Sequence, residues 1–285
     1  MGMRKLLLIL FLLPVFASAQ SPMFKLIAKK SGCNPDSDAQ KFIDSLSLTG
    51  TEATAICNLV KDLKDSSLWS SMQAIYPMIG GTASTQKWNL KDVRNVDAAF
   101  RLVFTGGWTH SSTGALPNGS TGYANTFYQP STNATAGSNH MSYYSRTTGG
   151  AAESMIDMGS QGTSFRENQI IIRFSNNVYL ESNSVAGGYI TAANTNAQGY
   201  YIATRTSNTA IGGQKNTTQY TGTATESLSN YVTYLGARNR SGTAEYFSNR
   251  ECAFATIGTG LSAAQMLTLN IIVERYNDAL GRGVQ

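Results

Sequence analysis

The sequence predicts a mainly β protein: an antiparallel jelly-roll β-sandwich, preceded by a short helical segment and closed by a C-terminal helix. Short apolar runs recur at spacings of roughly 8–15 residues between Phe100 and Ile257, which is typical of sandwiches and barrels. Turn pairs such as Gly149-Gly150 and Asn176-Asn177 separate these runs. Only 14% of the residues are charged, against about 25% in an average globular chain. Gly, Ser, Thr and Asn take up the difference, which favours turn-rich β structure.

Residues 1–19 have the pattern of a secretory signal peptide. Arg4-Lys5 form the charged region, Leu6–Phe16 the apolar run and Ala17-Ser18-Ala19 the small-residue cleavage site. The apolar run is shorter than the roughly 20 residues that a membrane-spanning helix needs. We therefore expect cleavage before Gln20, a secreted, periplasmic or extracellular product, and no membrane association after cleavage.

Residues 20–95 form the predicted helical segment. Apolar residues at helical spacing predict one helix around Phe42 and a second after Thr49, where Glu52 completes a capping box. A third helical piece is expected to carry Leu68–Tyr76. Three short helices make little core by themselves, so we expect them to pack on the sandwich that follows or on a partner chain.

Residues 96–285 form the predicted sandwich with its closing helix. The stretch that follows Phe104 is interpreted as one long loop, and Ser182–Thr225 as long loops on the sandwich. A cap at Ser262 and an apolar stripe after it predict the closing helix. The strands are expected at Phe100–Phe104, Gly122–Phe127, His140–Arg146, Glu153–Met158, Gln169–Phe174, Val178–Glu181, Tyr200–Thr204, Ala210–Gln214, Tyr231–Ala237, Ala244–Phe247 and Glu251–Ile257.

The three cysteines and two histidines argue against a metal or cofactor site. An exported chain permits a disulfide between Cys33 and Cys57, whereas Cys252 lies in an apolar strand pattern and is expected to be a buried small hydrophobe. So few scattered Cys and His residues are incompatible with a Cys/His zinc site. No acidic loop cluster predicts calcium, and we predict no metal and no cofactor.

The charge distribution argues against a nucleic-acid partner. The formal net charge is +5, and it falls further when Arg4-Lys5 leave with the signal peptide. Nucleic-acid binding requires a clustered basic patch, and the one local cluster, Lys25 with Lys29 and Lys30, is read as a solvated leader.

Catalytic patterns are weak. Glycan hydrolysis uses two carboxylates that face each other across the sugar bond, and the tight Glu-x-Asp-x-Glu spacing of many jelly-roll glucanases is missing. Glu153 and Asp157 lie four residues apart, on one face of a strand, and are read as a solvated face. No Gly-x-Ser-x-Gly elbow or phosphate-binding glycine loop is present. We predict no catalytic residues and no enzyme activity.

Carbohydrate binding requires a less specific arrangement of residues than catalysis does. It needs an exposed aromatic ring to stack on a sugar face, with amide or hydroxyl groups around it. A surface glycan is therefore the predicted partner. The predicted ligand-binding residues are Trp108, His110, Asn118, Tyr123, Asn125 and Tyr144.

Two resemblances add to this interpretation. Arg250–Ile257, the turn Gly258–Gln265 and the closing helix resemble the end of concanavalin A-like, laminin-G-like jelly-roll domains. The longer motifs Leu68–Asp92, Phe100–Phe127, Ser142–Thr147 (SYYSRT) and Glu251–Gly258 (ECAFATIG) resemble a group of uncharacterised proteins from tailed phages and prophages. That resemblance implies a virion-associated protein with a lectin-like fold, and it implies no catalytic residues. The signal peptide favours a prophage-borne or bacterial exported version.

We therefore expect a non-enzymatic, phage- or prophage-associated structural or adhesive protein that is lectin-like and binds surface glycans. The alternative is a secreted glycan-active enzyme, a glycoside hydrolase or lyase on a jelly-roll fold. A cleft that holds two carboxylates about 5–10 Å apart would favour the enzyme. A third interpretation is a purely structural subunit whose helices dock into an oligomer.

Overall fold

The computed structural model describes residues 36–149 and 155–285. In these ranges the strands form two sheets, one of eight strands and one of nine. The predicted fold class, a mainly β antiparallel sandwich with preceding helices and a closing helix, is confirmed. The signal peptide, Cys33 and Glu153 lie outside the described residues.

Local capping fixes the start of the first helix and of the closing helix, whereas the capping box predicted at Thr49 and Glu52 is wrong, because Thr49 makes no side-chain cap hydrogen bond. The Asp36 carboxylate accepts a hydrogen bond from the Asp38 N–H at 2.9 Å, and Ser262 forms a capping box with Gln265. None of the helices in the two described ranges has the length and apolarity that crossing a membrane requires. The helices are α1 (Ser37–Leu46), α2 (Gly50–Asp65), α3 (Ala83–Gln86), α4 (Pro130–Asn133) and α5 (Ala263–Ala279), with 3₁₀ turns at Trp69–Ser71 and Asp97–Ala99.

The strands pair antiparallel, with one exception described below. They are β1 (Met72–Tyr76), β2 (Val103–Thr105), β3 (Trp108–Ser111), β4 (Gly114–Pro117), β5 (Tyr123–Asn125), β6 (Asn139–Ser145), β7 (Met158–Gln161), β8 (Arg166–Phe174), β9 (Asn177–Val185), β10 (Ile190–Ala193), β11 (Gly199–Arg205), β12 (Ala210–Lys215), β13 (Thr218–Thr223), β14 (Tyr234–Leu235), β15 (Arg238–Arg240), β16 (Thr243–Glu245) and β17 (Cys252–Gly258).

The two sheets have different surroundings. The first sheet has the order β13-β12-β11-β6-β17-β4-β3, with β1 beside β17, and the second has the order β10-β9-β8-β7-β14-β5-β2. In the second sheet, β15 lies parallel to β7 and pairs with β16. The central strands of the first sheet are buried on both faces: on β6, Tyr143 packs between the sheets and Tyr144 packs against the helices. The second sheet keeps an outer face that α1, α2 and α5 do not cover.

The predicted third helix is wrong. Met72–Tyr76 is a strand, which pairs with β17 from Met72 opposite Gly258 to Tyr76 opposite Ala255. Ala74 and Tyr76 enter the core between the sheets, and Ile75 enters the core beneath the helices. A strand that is buried on both faces has apolar residues at nearly every position, and that pattern imitates helical spacing over five residues.

The predicted long loops also contain strands. The stretch after Phe104 forms the hairpin β3–β4, with Trp108 opposite Pro117, and Ser182–Thr225 contains β10 and β13. Of these strands, β13 is mainly polar and has no buried position, and β10 is buried only at Ile190. Their pairing comes from backbone hydrogen bonds to neighbouring strands, which side-chain patterning does not reveal.

Several polar groups are fully buried in this fold. Cys252 is a buried free thiol, as predicted, and burial raises its pKa. Cys57 is disulfide-bonded, but the expected partner Cys33 lies outside the described residues. Arg282 donates hydrogen bonds to the carbonyl oxygens of Pro77 at 2.6 Å and Met78 at 2.7 Å. The C-terminal end of the chain is thereby fixed to the loop that follows β1.

His140 makes the stability of the fold depend on pH. The ring Nδ1 donates to the carbonyl oxygen of Thr259 at 2.6 Å, and Nε2 lies 3.0 Å from the Thr256 hydroxyl. Burial lowers the pKa of His140 from 6.5 to about 4. The contribution to stability is complete above pH 6.5. It falls as the pH drops towards 4, because the unfolded chain takes up the proton first.

We expect the His140→Gln variant to lack the loss of stability that protonation of His140 causes at low pH. Between pH 7 and pH 4 the wild type should lose about 3 kcal/mol more unfolding free energy than His140→Gln does. Urea unfolding of both proteins at pH 7, 5.5 and 4 measures the difference. Parallel pH profiles for the two proteins would contradict the prediction.

Candidate functional site

One row of residues crosses the outer face of the second sheet. The register places Asn125 of β5 opposite Tyr234 of β14, and Tyr234 opposite Gly159 of β7. Gly159 lies opposite Gln169 of β8, which lies opposite Glu181 of β9. Residues that face each other in antiparallel strands present their side chains on the same side of the sheet. The row therefore spans five strands and brings polar side chains from four of them onto one surface.

Gly159 leaves the centre of this row without a side chain. A Cβ atom at this position would lie 2.7 Å from the Cβ of Gln169, so only glycine fits. Arg238 of β15, which is also in register with Gly159, extends towards the same side. Its Nη1 lies 3.5 Å from Gln169 Oε1 and 3.9 Å from Glu167 Oε1. Its Nε donates to Glu245 Oε1 at 3.0 Å.

Two glutamines connect the charged groups. Gln169 Nε2 donates to Glu181 Oε2 at 2.6 Å, and Gln161 Nε2 donates to Glu167 Oε1. The other amide atom of Gln161, its buried Oε1, has no hydrogen-bond partner among residues 36–149 and 155–285. A buried acceptor without a donor costs about 1–3 kcal/mol. We call Gln161, Glu167, Gln169, Glu181 and Arg238 the strand-face cluster.

The cluster holds its carboxyl groups unusually close together. Glu181 is 3% exposed and Glu167 is 8% exposed. Burial, with the adjacent Glu167 carboxylate and a hydrogen bond to it, raises the pKa of Glu181 well above that of an ordinary glutamate. Burial and a neighbouring carboxylate both favour the protonated form of Glu181, and the cluster is rich in carboxyl and amide oxygens.

Aromatic rings flank the strand-face cluster. Tyr246 is 40% exposed, and its ring lies 4.7 Å from the Arg238 guanidinium. Tyr123 stacks on Tyr234 with 4.6 Å between the ring centres, at the β5 side of the row. The face thus combines buried hydrogen-bonding groups with accessible rings, the two components of a small-ligand site.

The cluster has neither metal-site nor hydrolase geometry. The described residues contain no group of three or more His, Cys, Asp or Glu side chains placed to hold a metal ion. In a glycosidase the two carboxyl groups lie about 5–10 Å apart, with the sugar bond between them. Glu167 and Glu181 are instead close enough to share a hydrogen bond.

Three predicted ligand residues have partners within the protein. Trp108 Nε1 donates to the carbonyl oxygens of Thr105 at 3.1 Å and Tyr123 at 3.3 Å. His110 Nδ1 lies 2.5 Å from Gln86 Oε1. Asn118 Oδ1 accepts from three successive backbone N–H groups, from position 120 to position 122, and closes its loop. These contacts give all three residues a role in the β3–β4 region, and their role in ligand binding stays a prediction.

The other three predicted ligand residues lie on two different sheets. Tyr123 and Asn125 lie half-buried on β5, beside or in the row that crosses the outer face. Tyr144 is fully buried beneath the helices, and its role in ligand binding stays a prediction. Its hydroxyl donates to Glu274 Oε2 of α5 at 2.6 Å. A strand in a sheet that is covered on both sides has no exposed face to offer.

The sequence interpretation missed the strand-face cluster itself. Polar residues at alternate positions of β8, Glu167 and Gln169, were a usable signal, because buried strands seldom carry them. Asp157, considered as half of a catalytic pair, instead forms a fully buried ion pair with Arg250. Bringing Glu181 next to Glu167 required the pairing register of β8 and β9.

Replacing Glu181 by glutamine should raise the melting temperature at pH 7–8. A pKa that is raised in the folded state gives full stability below about pH 4.5 and a loss as the pH rises, because the unfolded chain releases the proton first. Glutamine imitates the protonated carboxyl and removes that loss. Thermal unfolding of the wild type and of Glu181→Gln from pH 4 to 9 measures the difference in melting temperature. Glu245→Gln is the control, since it removes a direct partner of Arg238 and should not stabilise. An equal change in melting temperature for Glu181→Gln and Glu245→Gln would contradict the prediction.

Comparison with known proteins identifies no family. No protein-family model and no curated protein matches the chain. Among solved structures it is similar to a Trypanosoma rangeli sialidase mutant displaying trans-sialidase activity, with 9% identity and a TM-score of 0.49 over 80% of this chain and 39% of that chain. It is similar to domain 4 of AbnA, a GH43 extracellular arabinanase from Geobacillus stearothermophilus in complex with arabinotriose, with 11% identity and a TM-score of 0.47 over 70% of this chain and 98% of that chain. It is also similar to the NanB sialidase of Streptococcus pneumoniae, with 13% identity and a TM-score of 0.37, where 47% of this chain spans 24% of that chain. Such similarities concern the β-sandwich fold alone.

Proposed function

We propose that the chain is a non-enzymatic, lectin-like protein that binds glycans on the outer face of its second sheet. The observation that carries the proposal is the strand-face cluster, in which Gln161 Oε1 is a buried acceptor without a donor among the described residues. A sugar hydroxyl is a donor of the required kind. Tyr246 offers an exposed ring beside it for the apolar face of a sugar.

The charges of the cluster favour a neutral glycan. Glu167, Glu181 and Glu245 surround a single guanidinium of Arg238. Arg240 lies 3.7 Å from Glu245 and is about half exposed. An anionic sugar would place another carboxylate next to acceptor oxygens, which is unfavourable at short range. Neutral hydroxyls donate to these oxygens without adding charge.

The closeness of the Glu167 and Glu181 carboxyl groups supports a binding role over a hydrolytic one. Hydrolysis of a glycosidic bond requires room for the reacting carbon, and for water in the inverting case, between two carboxyl groups. Glu167 and Glu181 contact each other and leave no such gap between them. Glycoside hydrolase or lyase activity remains the alternative outcome of the experiment below.

The biological setting follows from the sequence. The signal-peptide pattern of residues 1–19 supports export, and the phage and prophage motifs support display on a virion or on the surface of a lysogenic bacterium. In this proposal the protein is an adhesive or structural component, and its helical segment provides contacts to a second copy or to other virion proteins.

The test is a glycan array with the protein that lacks residues 1–19, together with an assay of reducing-sugar release. We expect binding to neutral glycans, weaker binding to sialylated or uronic-acid glycans, and no release. Release of reducing sugar would replace the binding proposal with the enzyme alternative. Preference for anionic glycans would contradict the assignment to the strand-face cluster.

A further inference from the structure

A cavity lies between segments that precede β2, follow β5 and precede β14. Its volume is about 410 Å³, within the range of pockets that hold small ligands. No residue of the strand-face cluster lines it. Its walls combine apolar side chains with carboxylate and amide groups, among them Asp97, Phe100, Phe127, Gln129, Asn133 and Val232.

Phe127 occupies its place in the cavity wall at a conformational cost. Its φ angle is 57°, a left-handed conformation that is an outlier for a bulky side chain and unstrained for glycine. Phe127 belongs to neither hydrophobic core of the described residues. Packing therefore does not explain why a phenylalanine stands at this position, and strained residues of this kind cluster at functional sites.

Neighbouring groups hold the Phe127 ring and the cavity carboxylate in place. The Arg101 guanidinium lies 5.8 Å from the centre of the Phe127 ring, and its Nη2 donates to Asp97 Oδ1 at 2.6 Å. On the other side, Phe100 packs edge-to-face on Tyr128, with the ring centres 5.4 Å apart. The cavity thus has a positioned ring, a positioned acceptor and a rigid apolar wall.

We infer that this cavity is a second sugar subsite, in which a pyranose ring packs on Phe127 and its hydroxyls donate to Asp97 and the amide oxygens. Phe127 lies two residues after Asn125, the last residue of β5, and Val232 lies two residues before Tyr234, the first residue of β14. The cavity therefore adjoins the row on the outer face. The inference rests on the proposed function, and it makes the ligand an oligosaccharide that spans both subsites.

Phe127→Gly separates a ligand role from a packing role. The substitution relieves the backbone, so the melting temperature of the full-length protein should stay equal or rise. Affinity for a neutral trisaccharide should fall by about tenfold or more, while Phe127→Tyr keeps it. Ser47→Gly is the matched backbone control: Ser47 has a φ of 53° at the end of α1, away from the cavity residues, and this variant should bind normally.

Isothermal titration with maltotriose, cellotriose and triacetylchitotriose, each beside its monosaccharide, measures the effect. Wild-type affinity in Phe127→Gly would overturn the inference, and so would monosaccharides binding as tightly as trisaccharides. If Arg238→Met loses binding and Phe127→Gly does not, the proposed function stands and the second subsite falls. If none of these sugars binds the wild type, the inference and its assumption of a neutral oligosaccharide ligand both fall.

Discussion

Replacing Asp157 by asparagine is expected to destabilise the fold by about 3–5 kcal/mol, because it leaves a buried charge without its partner. The side chains of Asp157 and Arg250 are both fully buried, with Nη1 3.1 Å from Oδ1. The same carboxylate accepts hydrogen bonds from the Ser248 hydroxyl at 2.6 Å and the Ile172 N–H at 2.8 Å. Asparagine has nearly the same shape, so the loss reports on the charge and not on a cavity.

The matched control is Asp62→Asn. Asp62 accepts from Arg275 at 2.7 Å in an ion pair whose arginine side chain is 63% exposed, and such surface pairs contribute about 0–1 kcal/mol. Urea unfolding at pH 7 compares both variants with the wild type. If Asp157→Asn costs no more than Asp62→Asn, the buried pair does not have the role assigned to it. A double variant with leucine at 157 and methionine at 250 should recover part of the loss.

Replacing Arg238 by methionine is expected to weaken glycan binding by about 10- to 100-fold, equivalent to about 1.4–3 kcal/mol. Methionine keeps part of the apolar length of the side chain but removes every donor. Arg238 is the group that links Glu245 on one side to Gln169 and Glu167 on the other. Without it, Gln169 loses a donor to its Oε1, and the Glu167–Glu181 pair loses its nearest cation.

Arg240→Met is the control on the same strand. The Arg240 side chain is 48% exposed and lies 3.7 Å from Glu245, so its loss should change affinity by less than about threefold, as for surface ion pairs. Titration of the best array glycan into both variants gives the affinities, and urea unfolding at the same pH shows whether each variant is folded. A folded Arg238→Met protein with wild-type affinity would contradict the placement of the ligand on this face.

The sequence by itself determined the features that depend on local physical chemistry. Short apolar runs bounded by turn residues predicted strands at β6, β11, β12 and β17, because both signals lie within a strand and its immediate neighbours in the sequence. The cap at Ser262 predicted the closing helix, because helix capping involves residues only three positions apart. The apolar pattern around Cys252 predicted its burial for the same reason.

Only the tertiary structure determined which side chains that are distant in the sequence come into contact. Glu181 reaches Glu167 through the pairing of β8 with β9, and Arg238 reaches the cluster because β15 pairs with β7, more than seventy residues earlier in the chain. Tyr144 became a core residue because α5, more than a hundred residues later in the chain, covers its strand. Strand register determines such encounters, since a shift of one residue turns every side chain of a strand to the opposite face.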